Sequence, residues 1–322
     1  MIATLPQALS QAIEAEVAEH EPAAIRTAAA ALSGAYRGQR AIARTLSPVE
    51  RAAYLAVRFP STFASAAAVW GELATVCDLA PVRTVLDVGA GPGTASLAAY
   101  SVLPRAAFSL FERDSGWRQI AARLATALGV ESTFRTGTLP GAIAPHDIVV
   151  SAYALNELPE SDRAKAIAAL WPAARVALIV LEPGTPKGFA VCDMARTQTL
   201  AAGAHAAAPC THNDRCPMTT ADWCHRPVRL ARSAIHRSAK LGALAHEDEK
   251  FSYVILTRDP PRRIAQARIV RKPMRNAGHV HLDLCHANGL QRTTVGRSDK
   301  ANYRDARDAE WGGVWPPDQT GG

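Results

Sequence analysis

The sequence predicts an α/β protein built on a doubly wound, Rossmann-like parallel sheet, and three observations carry this prediction. An apolar run with β-branched residues at Thr84–Val88 is typical of a buried strand. A loop in which every second residue is glycine follows that run, and helix-forming residues follow the loop. Strand and helix patterns then alternate up to about residue 200. Such alternation indicates βαβ units and hence a parallel sheet.

The glycine-rich loop predicts a cofactor site at the end of the first strand. Glycines let backbone N–H groups approach a ligand closely, beside the start of a helix. The spacing G-x-G-x-G differs from the G-x-G-x-x-G of dinucleotide sites. It resembles the first motif of S-adenosylmethionine-dependent methyltransferases, although a tight turn in another α/β protein would look similar. The cofactor contacts predicted in and beside the loop are Asp87, Gly89, Ala90, Gly91 and Gly93.

Two later strands also end in polar residues. The second strand, Ala107–Phe111, is followed by Glu112, about 20 residues after the loop, where an acid hydrogen-bonds the ribose of an adenosine cofactor. The fourth strand leads into the turn Ser151–Leu158, which in methyltransferases faces the methyl group. The turn differs from the Asn/Asp-Pro-Pro-Tyr loop of enzymes that methylate amino groups of bases. Its predicted cofactor contact is Ser151, and its candidate catalytic residues are Asn156 and Glu157; a helix N-cap is an equal alternative for Asn156.

The composition limits the predicted cellular location and the kind of binding partner. The 322 residues include 36 basic and 29 acidic side chains, which gives a formal net charge of +7. This charge favours an anionic partner, nucleic acid before membrane. No apolar run reaches the roughly 18 residues of a membrane span. Acidic residues precede the first basic residue, Arg26, which argues against a secretory signal or transit peptide. We therefore expect a cytoplasmic protein that does not bind membranes.

The chain divides into four predicted regions. Residues 1–80 are alanine-rich and predict helices, one of which starts at a capping box, Ser47–Glu50, and another at Ser61 after a break at Arg58–Pro60. Residues 81–200 form the methyltransferase-like domain. Residues 201–315 form a cysteine-rich, metal-binding extension with a small antiparallel sheet, and residues 316–322 a flexible tail.

A cysteine cluster follows the alternating region. Cys210, Cys216 and Cys224 lie within fifteen residues, and the spacing C-x5-C-x7-C matches neither zinc ribbons nor ferredoxins. In a reducing compartment, thiols at this density indicate metal binding more than disulfides, with buried free thiols as the alternative. The fourth ligand is Cys285 or a nearby histidine. Four thiolates suit either tetrahedral zinc or an iron–sulfur cluster, and the spacing does not choose between them.

The C-terminal part of the chain is rich in arginine. Val228–Lys240 predicts a basic helix, and three alternating segments after Arg258 predict the strands of the small sheet. Basic strands predict a phosphate-binding face, and the alternative is a charged edge that only prevents aggregation. The predicted RNA contacts are Arg262, Arg263, Arg268, Arg271, Lys272 and Arg275.

Taken in order, these motifs resemble the Rsm22 family, methyltransferase-like proteins of the small ribosomal subunit with mitochondrial members and bacterial relatives. The resemblance covers about residues 54–315, and its most specific part is the cysteine block with the strand Lys250–Tyr253. It implies binding to the small ribosomal subunit and its 16S-type rRNA. It also implies a 4Fe-4S cluster, with zinc as the alternative, held by Cys210, Cys216, Cys224 and Cys285.

The motifs and the family resemblance predict two alternative functions. The first is an S-adenosylmethionine-dependent rRNA methyltransferase that acts as a monomer, in which positioning and desolvation do most of the work and no strong general base is required. The alternative is a non-catalytic assembly factor that binds rRNA and uses cofactor and metal only for structure.

Overall fold

The structure is a computed structural model that describes residues 3–37, 45–137, 143–218, 222–240 and 244–317. Four helices precede the first strand: α1 (Gln7–Ala18), α2 (Pro22–Arg37), α3 (Pro48–Val57) and α4 (Phe59–Val76). The predicted capping box at Ser47 is confirmed, since Ser47 and Glu50 each accept a hydrogen bond from the other's backbone N–H. α4 begins at Phe59 rather than Ser61, because Pro60 lies in the first helical turn, where its missing N–H breaks no hydrogen bond.

Strands and helices then alternate as predicted. They are β1 (Thr84–Val88), α5 (Thr94–Ala99), β2 (Ala107–Phe111), α6 (Ser115–Leu128), β3 (Ser132–Arg135), β4 (His146–Ala152), α7 (Glu160–Ala173), β5 (Ala174–Pro183) and α8 (Pro186–Ala201). The next elements are β6 (His205–Ala208), β7 (Arg226–Ala231), α9 (Ala234–Lys240) and β8 (His246–Thr257).

In the described residues these strands form one eight-stranded sheet in the order β3-β2-β1-β4-β5-β8-β6, with β7 also paired to β8. β1 to β5 are parallel, whereas β8 runs antiparallel to β5, β6 and β7. This order, with an antiparallel strand beside β5, is that of the methyltransferase-like α/β fold, so the predicted Rossmann-like part of the fold class is confirmed. The order reverses direction between β1 and β4, and ligands of open α/β sheets bind at such a point.

The prediction of a basic helix over Val228–Lys240 is wrong in its first part. Residues 226–231 form β7, which pairs with β8 from Arg226↔Phe251 to Ala231↔His246, and the helix begins only at Ala234. Pairing with an exposed strand edge satisfies the backbone of β7 and overrides local helical propensity. β6, β7 and β8, all from after residue 200, thus belong to the large sheet.

A second, smaller sheet follows. Its elements are β9 (Ala267–Ile269), β10 (Met274–Asn276), β11 (His279–His286), β12 (Gly289–Gly296), α10 (Lys300–Asp308) and β13 (Val314–Trp315). In the described residues the strand order is β10-β11-β9-β13, with β12 paired to β11, and every pairing is antiparallel. The predicted small antiparallel sheet is therefore confirmed. It has its own apolar core, which includes Ile269, Leu282 and Ala306.

The N-terminal helices share one apolar core with the large sheet. Trp70 of α4 is buried with Phe108 of β2, and its indole Nε1 donates a hydrogen bond to the carbonyl of Ala95, 3.0 Å away. This contact fixes α4 beside the glycine loop. None of the helices described for this chain is both long enough and apolar enough to span a bilayer.

Candidate functional site

A cavity of about 490 Å³ opens at the carboxyl edge of the large sheet. This volume lies within the range of sites for small molecules and cofactors. The residues after β1, β2 and β4 form three of its sides, as the doubly wound topology requires. Of the predicted cofactor and catalytic residues, those that line it are Asp87, Gly89, Ala90, Gly91, Glu112, Asn156 and Glu157.

The glycines of the loop have different roles. Gly89, Gly91 and Gly93 all have positive φ, at 72°, 54° and 78°. A Cβ on Gly89 would lie 2.5 Å from the Cβ of Ala154, so glycine lets the loop after β1 approach the turn after β4. Gly91 has open space where its Cβ would be, and it faces the cavity. Gly93 is not among the residues that line the cavity; it packs behind the loop, close to Leu110.

Two carboxylates support the loop. Asp87 is buried, and its Oδ2 accepts hydrogen bonds from the backbone N–H (3.1 Å) and hydroxyl (2.8 Å) of Ser96. Burial raises the pKa of Asp87 to about 6. Glu112 accepts from the N–H of Gly91 at 2.9 Å and from the N–H of Asp114 at 2.7 Å. A carboxylate has about four acceptor positions, so Glu112 retains capacity to accept a hydrogen bond from a ligand in the cavity.

The turn after β4 is held by a buried acid that the sequence reasoning missed. Glu182 of β5 is fully buried and accepts hydrogen bonds from the backbone N–H (3.2 Å) and the side-chain amide of Asn156. The amide of Asn156 is therefore used in anchoring the turn. Glu157 is exposed at the mouth of the cavity. Ser151 is fully buried within β4, and the residues that follow it line the cavity in its place.

The N-terminal helices supply the remaining wall. Tyr54 of α3, Arg58 directly after α3 and Thr62 of α4 also line the cavity. The guanidinium of Arg58 binds the carboxylate of Glu249 at 3.2 and 3.3 Å, which ties this wall to β8. Burial raises the pKa of the Tyr54 phenol, which is neutral at physiological pH. An aromatic residue on an apolar helical face looks like core packing, so no sequence signal identified this wall.

A second, smaller cavity of about 40 Å³ lies between the two sheets, and the four predicted metal ligands line it together. We call it the thiol cavity; the four predicted ligands Cys210, Cys216, Cys224 and Cys285 are half-buried and free, and the buried Cys192 of α8 also lines it. Burial and the neighbouring thiols raise the pKa of Cys285 to about 12. Within the described ranges, no group of three or more His, Cys, Asp or Glu side chains is arranged to hold a metal ion.

Two buried arginines also line the thiol cavity. Arg268 of β9 is 5% exposed and donates to the carbonyls of Pro209 (3.0 Å) and Gly312 (3.0 Å) and to the carboxylate of Glu72. It was predicted to contact RNA, but it is buried because its charge joins the small sheet to α4. Arg196 of α8 is 4% exposed and was not singled out from the sequence, because an isolated arginine in a helical pattern normally indicates an exposed face.

The other predicted RNA contacts lie nearer the surface. Arg262 forms an ion pair with Asp78 at 2.6 Å, and Arg271 pairs with Asp222. Arg275 donates to the carbonyls of Arg307 (2.7 Å) and Ala309 (2.6 Å), at the end of α10. Arg263 and Lys272 are exposed.

The model of a family described as mitochondrial small ribosomal subunit Rsm22 matches residues 48–316. The chain belongs to the Rsm22 family. A human member, ribosome assembly protein METTL17, mitochondrial, is 28% identical over 289 residues, which are 82% of this chain and 62% of that protein. Rsm22-cox11 tandem protein 2 of Schizosaccharomyces pombe is 25% identical over 85% of this chain and 44% of its own length. The chain thus spans less than two thirds of these members of the Rsm22 family.

Solved methyltransferase structures resemble this protein more distantly. Magnesium protoporphyrin IX methyltransferase of Synechocystis PCC 6803, with bound SAH, is 14% identical over 70% of this chain and 94% of its own, with a TM-score of 0.43. Precorrin-6y C5,15-methyltransferase of Geobacter metallireducens is 11% identical over 60% of this chain and 85% of its own, with a TM-score of 0.40. The fold assignment of this Rsm22 protein rests on its own strand order.

Proposed function

We propose that this Rsm22-family protein binds S-adenosylmethionine and takes part in assembly of the small ribosomal subunit through contact with its rRNA. The observation that carries the cofactor part is the cavity at the topological switch point, with a backbone loop on one side and the Glu112 carboxylate on another. The bound cofactor would supply an electrophilic methyl group. The assembly part extends to this chain what the names of its relatives state.

The cavity residues fit such a cofactor. The positive φ of Gly91 and its open Cβ position let a ligand approach the loop backbone closely, and Glu112 is available to accept from ribose hydroxyls. Tyr54 and Arg58 would close the acceptor side of the cavity and exclude water from it. Transfer from a sulfonium requires alignment of donor and acceptor more than a general base. The chain's contribution is therefore orientation and desolvation.

Measurements of S-adenosylmethionine binding and of methyl transfer test separately whether the protein holds the cofactor and whether it uses it. We expect calorimetry to detect S-adenosylmethionine binding, and Glu112→Ala to weaken it about 10- to 100-fold, since a hydrogen bond to a charged group contributes roughly 1.5–3 kcal/mol. Glu131→Ala, at an exposed glutamate before β3, is the matched control. Methyl-labelled cofactor incubated with small-subunit rRNA or particles then measures transfer. Absence of binding to the wild type would contradict the proposal.

One observation favours the non-catalytic alternative. The side-chain amide of Asn156 donates to buried Glu182, which gives this candidate catalytic residue a structural role in anchoring the turn. A protein that binds the cofactor tightly, binds rRNA in a salt-dependent way and transfers no label would fit this second function. Transfer that is lost in Glu112→Ala would support the enzyme.

We further propose that the thiol cavity holds a 4Fe-4S cluster, with zinc as the alternative. The donor set supports this assignment: four thiols from the segments around β6, β7 and β11 line one cavity that also contains two buried cations. Bound there, the group would supply a thiolate-ligated inorganic centre that joins the small sheet to the large one, so metal binding would add to folding stability. Anaerobic purification tests it: a brown protein with iron and acid-labile sulfide supports the cluster, and a colourless zinc protein supports the alternative.

A cytoplasmic location, where free thiols persist, and a monomeric state stay predictions. Fractionation of cells and light scattering of the purified protein test them.

A further inference from the structure

Arg196 is a buried guanidinium whose hydrogen-bond partners do not neutralise it. Its Nη2 donates to the carbonyl oxygens of His212 (2.9 Å) and Asp214 (2.5 Å), and its Nε is buried with no partner. Asp193 lines the same cavity three residues earlier on α8; burial raises the pKa of its carboxyl group, and the charge of Arg196 partly offsets that rise. A charge removed from water is costly unless an opposite charge compensates it.

The second cation of the thiol cavity is compensated. Arg268 places its Nη1 and Nη2 at 3.2 and 3.1 Å from the two carboxylate oxygens of Glu72. Arg196, in contrast, donates its hydrogen bonds in the described residues to backbone carbonyls, so its charge is less directly compensated than that of Arg268. Four protonated thiols are neutral and cannot balance it. Thiolates are the metal-binding form of cysteine, and four of them around a doubly charged metal centre leave a net negative charge.

We propose that Arg196 is the buried counter-cation of a thiolate-bound metal centre in the thiol cavity and that it also sets the spacing of two of the ligands. The two carbonyls that it binds belong to residues between Cys210 and Cys216. The planar guanidinium thus fixes the loop that carries both thiols to α8. This inference rests on the metal centre of the proposed function.

A charge substitution with a matched control tests the proposal. Arg196→Gln removes the buried charge, Arg196→Lys keeps the charge but loses the planar fork, and Arg215→Gln removes a charge from an exposed position of the same loop. Each variant is reconstituted anaerobically with Fe²⁺ and sulfide. Retention of iron against a chelator, the visible absorption spectrum and the midpoint potential are then measured on protein whose fold is checked by circular dichroism.

We expect Arg196→Gln to lose iron at least tenfold faster than the wild type and Arg215→Gln to stay within twofold of it. The midpoint potential of Arg196→Gln should be lower, because reduction adds negative charge that the missing cation would have stabilised. Arg196→Lys should keep a near-wild-type potential and lose iron at an intermediate rate. If the wild type loads zinc instead, the retention comparison applies in the same way.

Folded Arg196→Gln that retains metal as the wild type does, with an unchanged potential, would overturn the role of Arg196 while the metal centre stands. A wild type that loads neither iron nor zinc would instead overturn the metal centre, and the counter-cation with it. If Arg196→Gln does not fold, Arg196→Lys decides: a potential equal to that of the wild type supports the counter-cation, and a clearly lower potential contradicts it.

Discussion

Glu182, near the end of β5, anchors Asn156 through both its backbone N–H and its side-chain amide, and so fixes the turn that lines the cofactor cavity. The anchor is an acid in a fully buried position. Burial raises the pKa of Glu182 to about 8, so the carboxyl group is largely protonated at neutral pH.

This pKa predicts a specific dependence of stability on pH. An unfolded glutamate has a pKa of about 4.3, so the folded state binds the extra proton between about pH 4.3 and 8. In that window the contribution of Glu182 to the free energy of unfolding falls as pH rises. Glu182→Gln, which cannot ionise, should reduce the loss of melting temperature between pH 5.5 and 8.5. Melting curves of the wild type, Glu182→Gln and the exposed control Glu131→Gln measure it; parallel curves for all three would refute the prediction.

Because Gly89 lies so close to Ala154, a methyl group added at Gly89 should destabilise the folded protein. Gly89→Ala should destabilise the protein by about 2–4 kcal/mol, because a positive φ and an overpacked contact act together. Gly203 also has a positive φ but open space around it, so Gly203→Ala should cost only about 1 kcal/mol. Chemical denaturation gives both values, and equal values would show that the contact does not matter.

Arg268 is buried, so we expect its substitution to affect stability, unlike substitution of an exposed basic residue. Arg268→Met leaves Glu72 without its closest cation and should lower the free energy of unfolding by about 3–5 kcal/mol. Lys272 is exposed and lies three positions after the end of β9. The free energy of unfolding of Lys272→Met should therefore stay within about 0.5 kcal/mol of that of the wild type. A stable Arg268→Met variant that had lost RNA affinity would contradict the structural role and restore the original prediction for this residue.

A substitution of Lys272 tests whether the exposed residues predicted to contact RNA do so. If this side chain contacts a phosphate, Lys272→Gln should reduce the slope of log affinity for small-subunit rRNA against log salt by about 1. Arg105→Gln, at an exposed basic residue before β2, should leave the slope unchanged. Fluorescence anisotropy across a salt series measures both, and equal slopes for both variants would exclude the contact.

Local patterns sufficed for much of the fold and part of the site. The apolar run of β1, the glycines after it and Glu112 after β2 each carry a signal within a few residues, and the structure places them around one cavity. The capping box at Ser47 is equally local. The start of α4 and the strand β7 were misjudged, because Pro60 is harmless in a first turn and because β7 exists only through its pairing with β8.

By itself the sequence determined the α/β class, the cofactor loop, the cysteine cluster and the resemblance to the Rsm22 family, since periodicity, spacing and motifs are properties of neighbouring residues. Tertiary structure alone decided that Tyr54 and Arg58 wall the cavity, that Glu182 anchors Asn156, and that Arg196 and Arg268 are buried at the thiol cavity. These facts depend on which distant segments pack together, and the burial that gives such side chains their energetic weight arises only from that packing.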